Sequence, residues 1–268
     1  MTSGALDFSI LLPALVAGLL VTATHVPLGM QVLSRGIVFI DLAIAQIAGC
    51  GVLLADRAGF EPEGIAVQAA ALVAALAGAL LLTWTERVWP EVQEAVIGVV
   101  FVLAATGGVL LLASNVHGSE HLRDLLVGQI LWVQPRWLAW TAAIYAGILA
   151  LWLAWGAKLG RIGFYALFAL AVTVSVQLVG VYLVFATLIV PPLATRRMAR
   201  HRLLAAWSLG GAGYAAGLVI STALDLPTGP AIVWALVALA IAWYALAPRA
   251  ATVPPGVASA GAPTRSGP

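Results

Sequence analysis

Gly36-Ile37-Val38-Phe39-Ile40-Asp41-Leu42-Ala43-Ile44-Ala45-Gln46-Ile47-Ala48-Gly49 decides how this chain folds. It is an apolar run of membrane-span type that carries one carboxylate. A charge at the centre of a spanning helix costs about 2.5–3.5 kcal/mol on insertion scales, so Asp41 needs a reason to be there. If helix begins at Gly36 near the membrane edge, a rise of 1.5 Å per residue puts Asp41 about 8 Å deep. It then either pairs inside a helix bundle or faces a path that ions use.

The rest of the sequence supports a membrane setting. Of 268 residues, 62% are hydrophobic and 9% charged, with a mean hydropathy of +1.04, whereas a soluble domain carries about 25% charged residues. Soluble multidomain readings are excluded. Apolar runs are expected to span at 8–30, 36–55, 64–84, 95–113, 137–156, 163–193, 203–223 and 229–247, several near the ~20 residues a crossing requires. The fold class is therefore all-α, a polytopic bundle of eight or nine transmembrane helices in the cell (inner) membrane. Run 163–193 is too long for one straight crossing and short for two; Gly180 in its middle and Pro191-Pro192 at its end point to a broken element. Leu125–Val133 is too short to span and reads as a re-entrant or interfacial helix. Residues 1–247 form the transmembrane domain, and 248–268, poor in large apolar side chains, a disordered cytoplasmic tail.

Net charge is +2, but the basic residues are clustered, so they report orientation and not nucleic-acid binding. Arg196-Arg197-Met198-Ala199-Arg200-His201-Arg202 should be cytoplasmic, with Arg35 and Lys158/Arg161 on the same side if the long run crosses twice. The stretch from Met1 to His25 holds Asp7 and no Lys or Arg, so it reads as a first span and not a cleaved signal peptide. Cys50 is the single cysteine and allows no intrachain disulfide. Trp84, Trp89, Trp132, Trp137, Trp155 and Trp207 sit near span ends as interfacial anchors. Gly213 and Gly217 form a GxxxG for close helix packing.

Three constellations bear on chemistry. Asp41 has only Ile44 and Ala45 on its own helical face; His25, in the preceding span, could lie at similar depth and give a carboxylate–imidazole pair suited to a divalent transition metal. The structural reading is an Asp bonded to backbone or to Arg35. His117-Gly118-Ser119-Glu120-His121 places two histidines four apart beside a glutamate. Zinc favours such ligands, and the literal H-x-x-E-H spacing matches a metalloprotease with Glu120 as base. Gly118 and Ser114-Asn115 favour a polar loop or an outer metal-attracting mouth. Ser175 and Gln177 precede the break at Gly180, where helix–helix hydrogen bonding accounts for them. No phosphate-binding loop is present, so any ATP hydrolysis comes from another chain.

Four pieces in order resemble the permease subunits of metal-ion ABC transporters, the zinc/manganese-type ABC-3 family. Pro27-Leu28-Gly29, Arg35 and Phe39-x-Asp41 are similar to the family's "P-L-G…R-R…F-G-D-T-L-A-H"; Leu125–Leu131 to "L-x-G-D-x-L"; Val179-Gly180 through Pro191-Pro192 and Arg196-Arg197 to "V-G-x-L-L…L-I-x-P-A-A-T-A-R"; Asp225–Pro230 to "D-x-P-x-G-P". The resemblance implies a permease with a central metal path, working as a second-copy pair in membrane lipid. A separate cytoplasmic ATPase would power it, and an extracytoplasmic metal-binding protein would feed it zinc or manganese. In such relatives an Asp and a His four residues later line the path. Asp41 matches the first, but Ala45 stands at the second, and the stretch looks closer to a subgroup with "F-x-D-L-A-x-A-Q-x-A" and an "H-G-x-E-H" loop. Relatives also carry a coupling helix before the span from 163, whereas Trp155–Ile162 connects the spans almost directly. Coupling then uses another loop, such as 85–94 with Glu86, Glu91 and Glu94, or transport proceeds without the usual engagement.

The expected function is a metal-ion permease with Asp41 and His25 on the path and His117, Glu120 and His121 at the outer mouth. It holds no permanent cofactor and is not an enzyme. The alternatives are an ATPase-independent carrier of the same fold and a membrane metalloprotease.

Overall fold

The computed structural model describes residues 8–61, 64–112, 126, 128, 130–155, 160–198 and 200–246. The expected tail 248–268 and the His117–His121 segment lie outside the described residues. Nine α-helices are described: α1 (Phe8–Arg35), α2 (Ile40–Arg57), α3 (Ile65–Val88), α4 (Gln93–Leu112), α5 (Pro135–Trp155), α6 (Gly160–Val179), α7 (Val181–Ala194), α8 (Arg202–Leu224) and α9 (Thr228–Leu246), with short 3-10 turns at Pro90–Val92 and Ile130–Trp132. Seven of them are long and apolar enough to cross a membrane; α7 is shorter. Helix α2 carries Asp41, Asp56 and Arg57 within 18 residues, so hydropathy alone does not single it out.

The long run 163–193 resolves into two helices meeting at Gly180, whose φ of 83° lies where only glycine is unstrained. The guanidinium of Arg35 lies 4.1 Å over the Phe164 ring near the start of α6. Gly29, also near the end of α1, packs on Leu188 and Pro192 near the end of α7. Both ends of the run therefore lie at the same end of the bundle, so it is a hairpin and not one bent crossing. Arg35, Arg161 and the Arg196–Arg202 cluster then share one face, the cytoplasmic one by the distribution of basic residues. At 14 residues α7 is about 21 Å long, less than the ~30 Å hydrocarbon thickness.

Lipid tails are as apolar as leucine, so helices in a bilayer associate through close van der Waals fit. Small residues provide it here. Gly51 meets Ala70 and Ala74 of α3, Gly78 of α3 meets Ile44 and Ile47, and Gly213 and Gly217 of α8 rest on Leu236 and Ile232 of α9. The GxxxG pair is thus a packing seam.

Two groups of helices result. Helix α2 packs on α3 and α4, while α1 packs on α7 and α8, and α9 on α7 and α8. Helices α6 and α7 sit between them, α6 against α3 and α2, α7 against α1 and α9. In the 125–133 stretch, Ile130 is buried, and Gly128, at φ 73°, sits against the backbone of Val179 and Gly180. Gly128 and Ile130 thus enter the bundle at the hairpin apex, while Trp132 of the same stretch stays exposed. Trp84, Trp89, Trp132 and Trp137 are exposed, as anchors would be.

Candidate functional site

The position of Asp41 follows from how α2 starts. Residues 36–39 are not helical: Gly36 takes φ 70°, Ile40 N–H donates to Ile37 O at 3.3 Å, and α2 begins at Ile40. The helical depth expected from a start at Gly36 is therefore absent. Asp41 sits in the first turn of α2, near the end of the bundle that carries the arginines. There the helix dipole favours a negative charge by a few tenths to about 1 kcal/mol, a structural reason for a carboxylate that the sequence pattern did not expose.

Asp41 is nevertheless only 1% exposed. On α2, Ile44, Ile47 and Gly51 face α3. Cys50 Sγ donates to Ala104 O of α4 at 3.1 Å, and Leu53 touches Gly108 of the same helix. At about 100° per residue, the buried stripe left over is Asp41, Ala45 and Ala48, and the neighbours left over are α6 and α7. Phe39 stacks on Phe185 of α7 with ring centroids 6.5 Å apart, which agrees. The carboxylate thus points into the seam between the two helix groups, with small side chains above it on its own helix. Its Oδ1 is buried and has no hydrogen-bond partner. No cation among the described residues lies within ion-pair distance of it, and the Arg35 guanidinium is engaged with Phe164.

His25 does not join it. It is fully buried on α1, its Nδ1 lying 3.1 Å from Val21 O and 3.0 Å from Thr24 Oγ1, while Nε2 has no partner. Gly18, Thr22, His25 and Gly29 form one helical stripe, and three of them touch other helices: Gly18 the Tyr214 ring, Gly210 of α8 the Thr22 side chain, Gly29 the α7 backbone. His25 therefore faces α7 and α8, about 15 Å back from the end of α1, whereas Asp41 belongs to the other group at that end. The expected carboxylate–imidazole pair is two separate groups. No cluster of three or more metal-ligating side chains occurs among the described residues, and His117, Glu120 and His121 lie outside them.

Other polar contacts emerge only from the fold. Tyr145 of α5 hydrogen-bonds Ser175 of α6, and Thr187 of α7 shares a 2.9 Å bond with Tyr214 of α8, so Ser175 has the helix–helix role its position suggested, while Gln177 is exposed. At the arginine-bearing end, Glu86 Oε1 lies 3.6 Å from Arg161 Nε, and Glu94 accepts Phe39 N–H at 3.3 Å. Gln93 donates to Leu82 O at 3.0 Å and accepts from Thr85. Of the three acids in loop 85–94, only Glu91 is exposed and uncommitted. The clue in sequence was hydroxyls and amides inside apolar runs, but it names no partner.

The family model described as the ABC 3 transport family matches residues 7–160 and 156–247. The chain belongs to this family. It is the membrane-spanning, multi-pass subunit of an ABC transporter and not an enzyme. Among solved structures, PsaBC from Streptococcus pneumoniae in complex with Fab is similar to this permease at a TM-score of 0.74 and 21% identity, over 91% of this chain and 94% of that one. An inward-facing ABC transporter assigned to the metal-chelate type is similar at a TM-score of 0.64 and 14% identity, over 87% and 84%. At such identities the likeness is one of fold. No curated protein matches the permease in sequence.

Proposed function

We infer that this permease moves a divalent metal ion across the membrane and that Asp41 is a protein ligand the ion meets on the way. The observation that carries this reading is the orphaned Asp41 oxygen: a buried carboxylate facing an interhelical seam with no cation of its own. A buried unpaired charge costs several kcal/mol unless a cation or a proton relieves it, and ionisable groups inside membrane bundles mark ion pathways. The fold shared with transporters, one of them of metal-chelate type, supports a metal as cargo. With one hard oxygen and no preassembled cluster among the described residues, the ion would keep much of its water and bind weakly. Weak, state-dependent binding is what vectorial transport requires.

In this reading zinc or manganese is the cargo and a separate cytoplasmic ATPase supplies the energy. An extracytoplasmic metal-binding protein delivers the ion, and two copies of the permease flank the path. His25 Nε2 is a second, separate contact point, and His117, Glu120 and His121 gather metal at the outer mouth. Metal uptake in cells expressing Asp41→Ala at wild-type levels tests the central assignment. Uptake at background is expected, and uptake equal to wild type overturns it. Co-purification with a stoichiometric ATPase and dependence on ATP test the energy source separately.

A further inference from the structure

A cavity of about 860 Å³ opens between the end of α7, α8 and the end of α9. Its polar wall is made of Arg197, Arg200 and Ser208, its larger apolar wall of side chains such as Leu209, Leu239 and the Trp243 ring. Arg197 lies 4.3 Å over the Tyr244 ring, an arrangement that fixes the guanidinium by its face and leaves its N–H edge free. No acidic residue lines the cavity. The polar wall therefore offers N–H and O–H donors and two positive charges, with no carboxylate to receive them.

No acid in the part of the chain that builds the cavity supplies the missing anion. From residue 125 onward the sequence holds one acid, Asp225, against the arginine cluster at 196–202. Asp225 lies at the opposite end of α8 from Arg202, about 33 Å away and well beyond the screening length of about 8 Å. The segment after Leu246 adds Arg249 and Arg265 and no Asp or Glu, so its charge opposes entry. The cavity lies at the basic end of the bundle, the cytoplasmic one by the distribution of its arginines, and most of its wall is apolar.

We propose that this cavity binds a phospholipid with an anionic phosphate headgroup, drawn from the cytoplasmic leaflet. The phosphate oxygens accept from Arg197, Arg200 and the Ser208 hydroxyl, and the upper acyl chain lies on Leu209 and Leu239. Basic pockets between membrane helices on the cytoplasmic side bind such headgroups, and the volume falls in the range of small-molecule clefts. The site is independent of the metal path, so its test reads lipid binding and not uptake.

The full-length permease in mild detergent is titrated with phosphatidylglycerol, phosphatidylcholine or inorganic phosphate, with retention in native mass spectra and the thermal midpoint as readouts. Phosphatidylglycerol is expected to bind about tenfold or more tighter than phosphatidylcholine. Arg197→Gln and Arg200→Gln should each weaken it on the order of fivefold and leave phosphatidylcholine unchanged. Ala212→Trp, which fills the cavity from α8, should remove the preference. Equal binding of the two lipids overturns the proposal, as does an unchanged preference in Ala212→Trp. Inorganic phosphate reproducing the full stabilisation reduces the site to an anion site and overturns the lipid. Lipid binding seen only after truncation behind Leu246 assigns the cavity to the chain's own C-terminal segment and equally overturns it.

Discussion

Gly29→Ala isolates how α1 grips the short helix α7. Pro192 has no N–H, so the Leu188 carbonyl four residues earlier loses its helical partner, and this is the oxygen on which Gly29 rests. A Cβ at position 29 would overlap that oxygen, lie 2.9 Å from the Leu188 carbonyl carbon and 3.1 Å from Pro192 Cγ. The obstacles are mostly backbone, which cannot rotate aside, so α1 must move off α7. Two effects oppose each other. Alanine is favoured over glycine within a helix by about 1 kcal/mol, whereas overpacking a close contact costs about 1–3 kcal/mol. Backbone contact puts the penalty at the upper end, so a net loss of about 1–2 kcal/mol is expected, or roughly 2–8 °C in thermal midpoint for a chain of this length. Gly49→Ala is the internal control, because nothing lies within 4 Å of a Cβ there; it should be neutral or slightly stabilising. Thermal unfolding of both variants in the same detergent decides the matter. A Gly29→Ala protein as stable as Gly49→Ala would refute the claim that this crossing depends on backbone contact.

Gly180→Ala should lose about 1–3 kcal/mol in the same assay, because φ 83° with ψ 161° is a conformation open essentially to glycine alone. Tyr145→Phe removes an interhelical bond to Ser175 but leaves that serine bonded to Ala171 O at 2.7 Å, so a loss of about 0.6 kcal/mol, the average for such bonds in membranes, is expected. A loss several times larger would show that more than this bond depends on the phenol. Glu86→Gln should change stability by less than about 1 kcal/mol, since Arg161 is half exposed and its charge is screened; its midpoint should also be nearly independent of added salt.

What could be read in advance follows from what is local. Spans were legible because each is a contiguous apolar run, and the break at Gly180 because the run is too long for one crossing and holds a glycine near its middle; Pro191-Pro192, read with it as a sign of a break, lie inside α7. The Gly213/Gly217 seam declared itself through its i, i+4 spacing. The hairpin did not, because the run 163–193 fits neither one crossing nor two; only the packing of Gly29 and Arg35 against its two ends settles the direction of return. The depth of Asp41 was misjudged because residues 36–39 are as apolar as a helix yet turn at Gly36. Its separation from His25 was invisible for a deeper reason: adjacent spans in sequence need not be partners in space, and α1 finds its neighbours far down the chain, in α7 and α8. Tyr145 with Ser175, and Thr187 with Tyr214, are likewise long-range pairings that hydropathy does not encode.

Those distant partnerships have a mechanical corollary. Helices α1 and α2 belong to different packing groups but are joined only through residues 36–39, a leash that reaches about 14 Å when fully stretched. At the opposite end the α6–α7 hairpin crosses the same divide through Gly180 alone. The two groups are therefore tied at both ends of the bundle, so sliding or twisting of one against the other strains the chain less than prising them apart at either end.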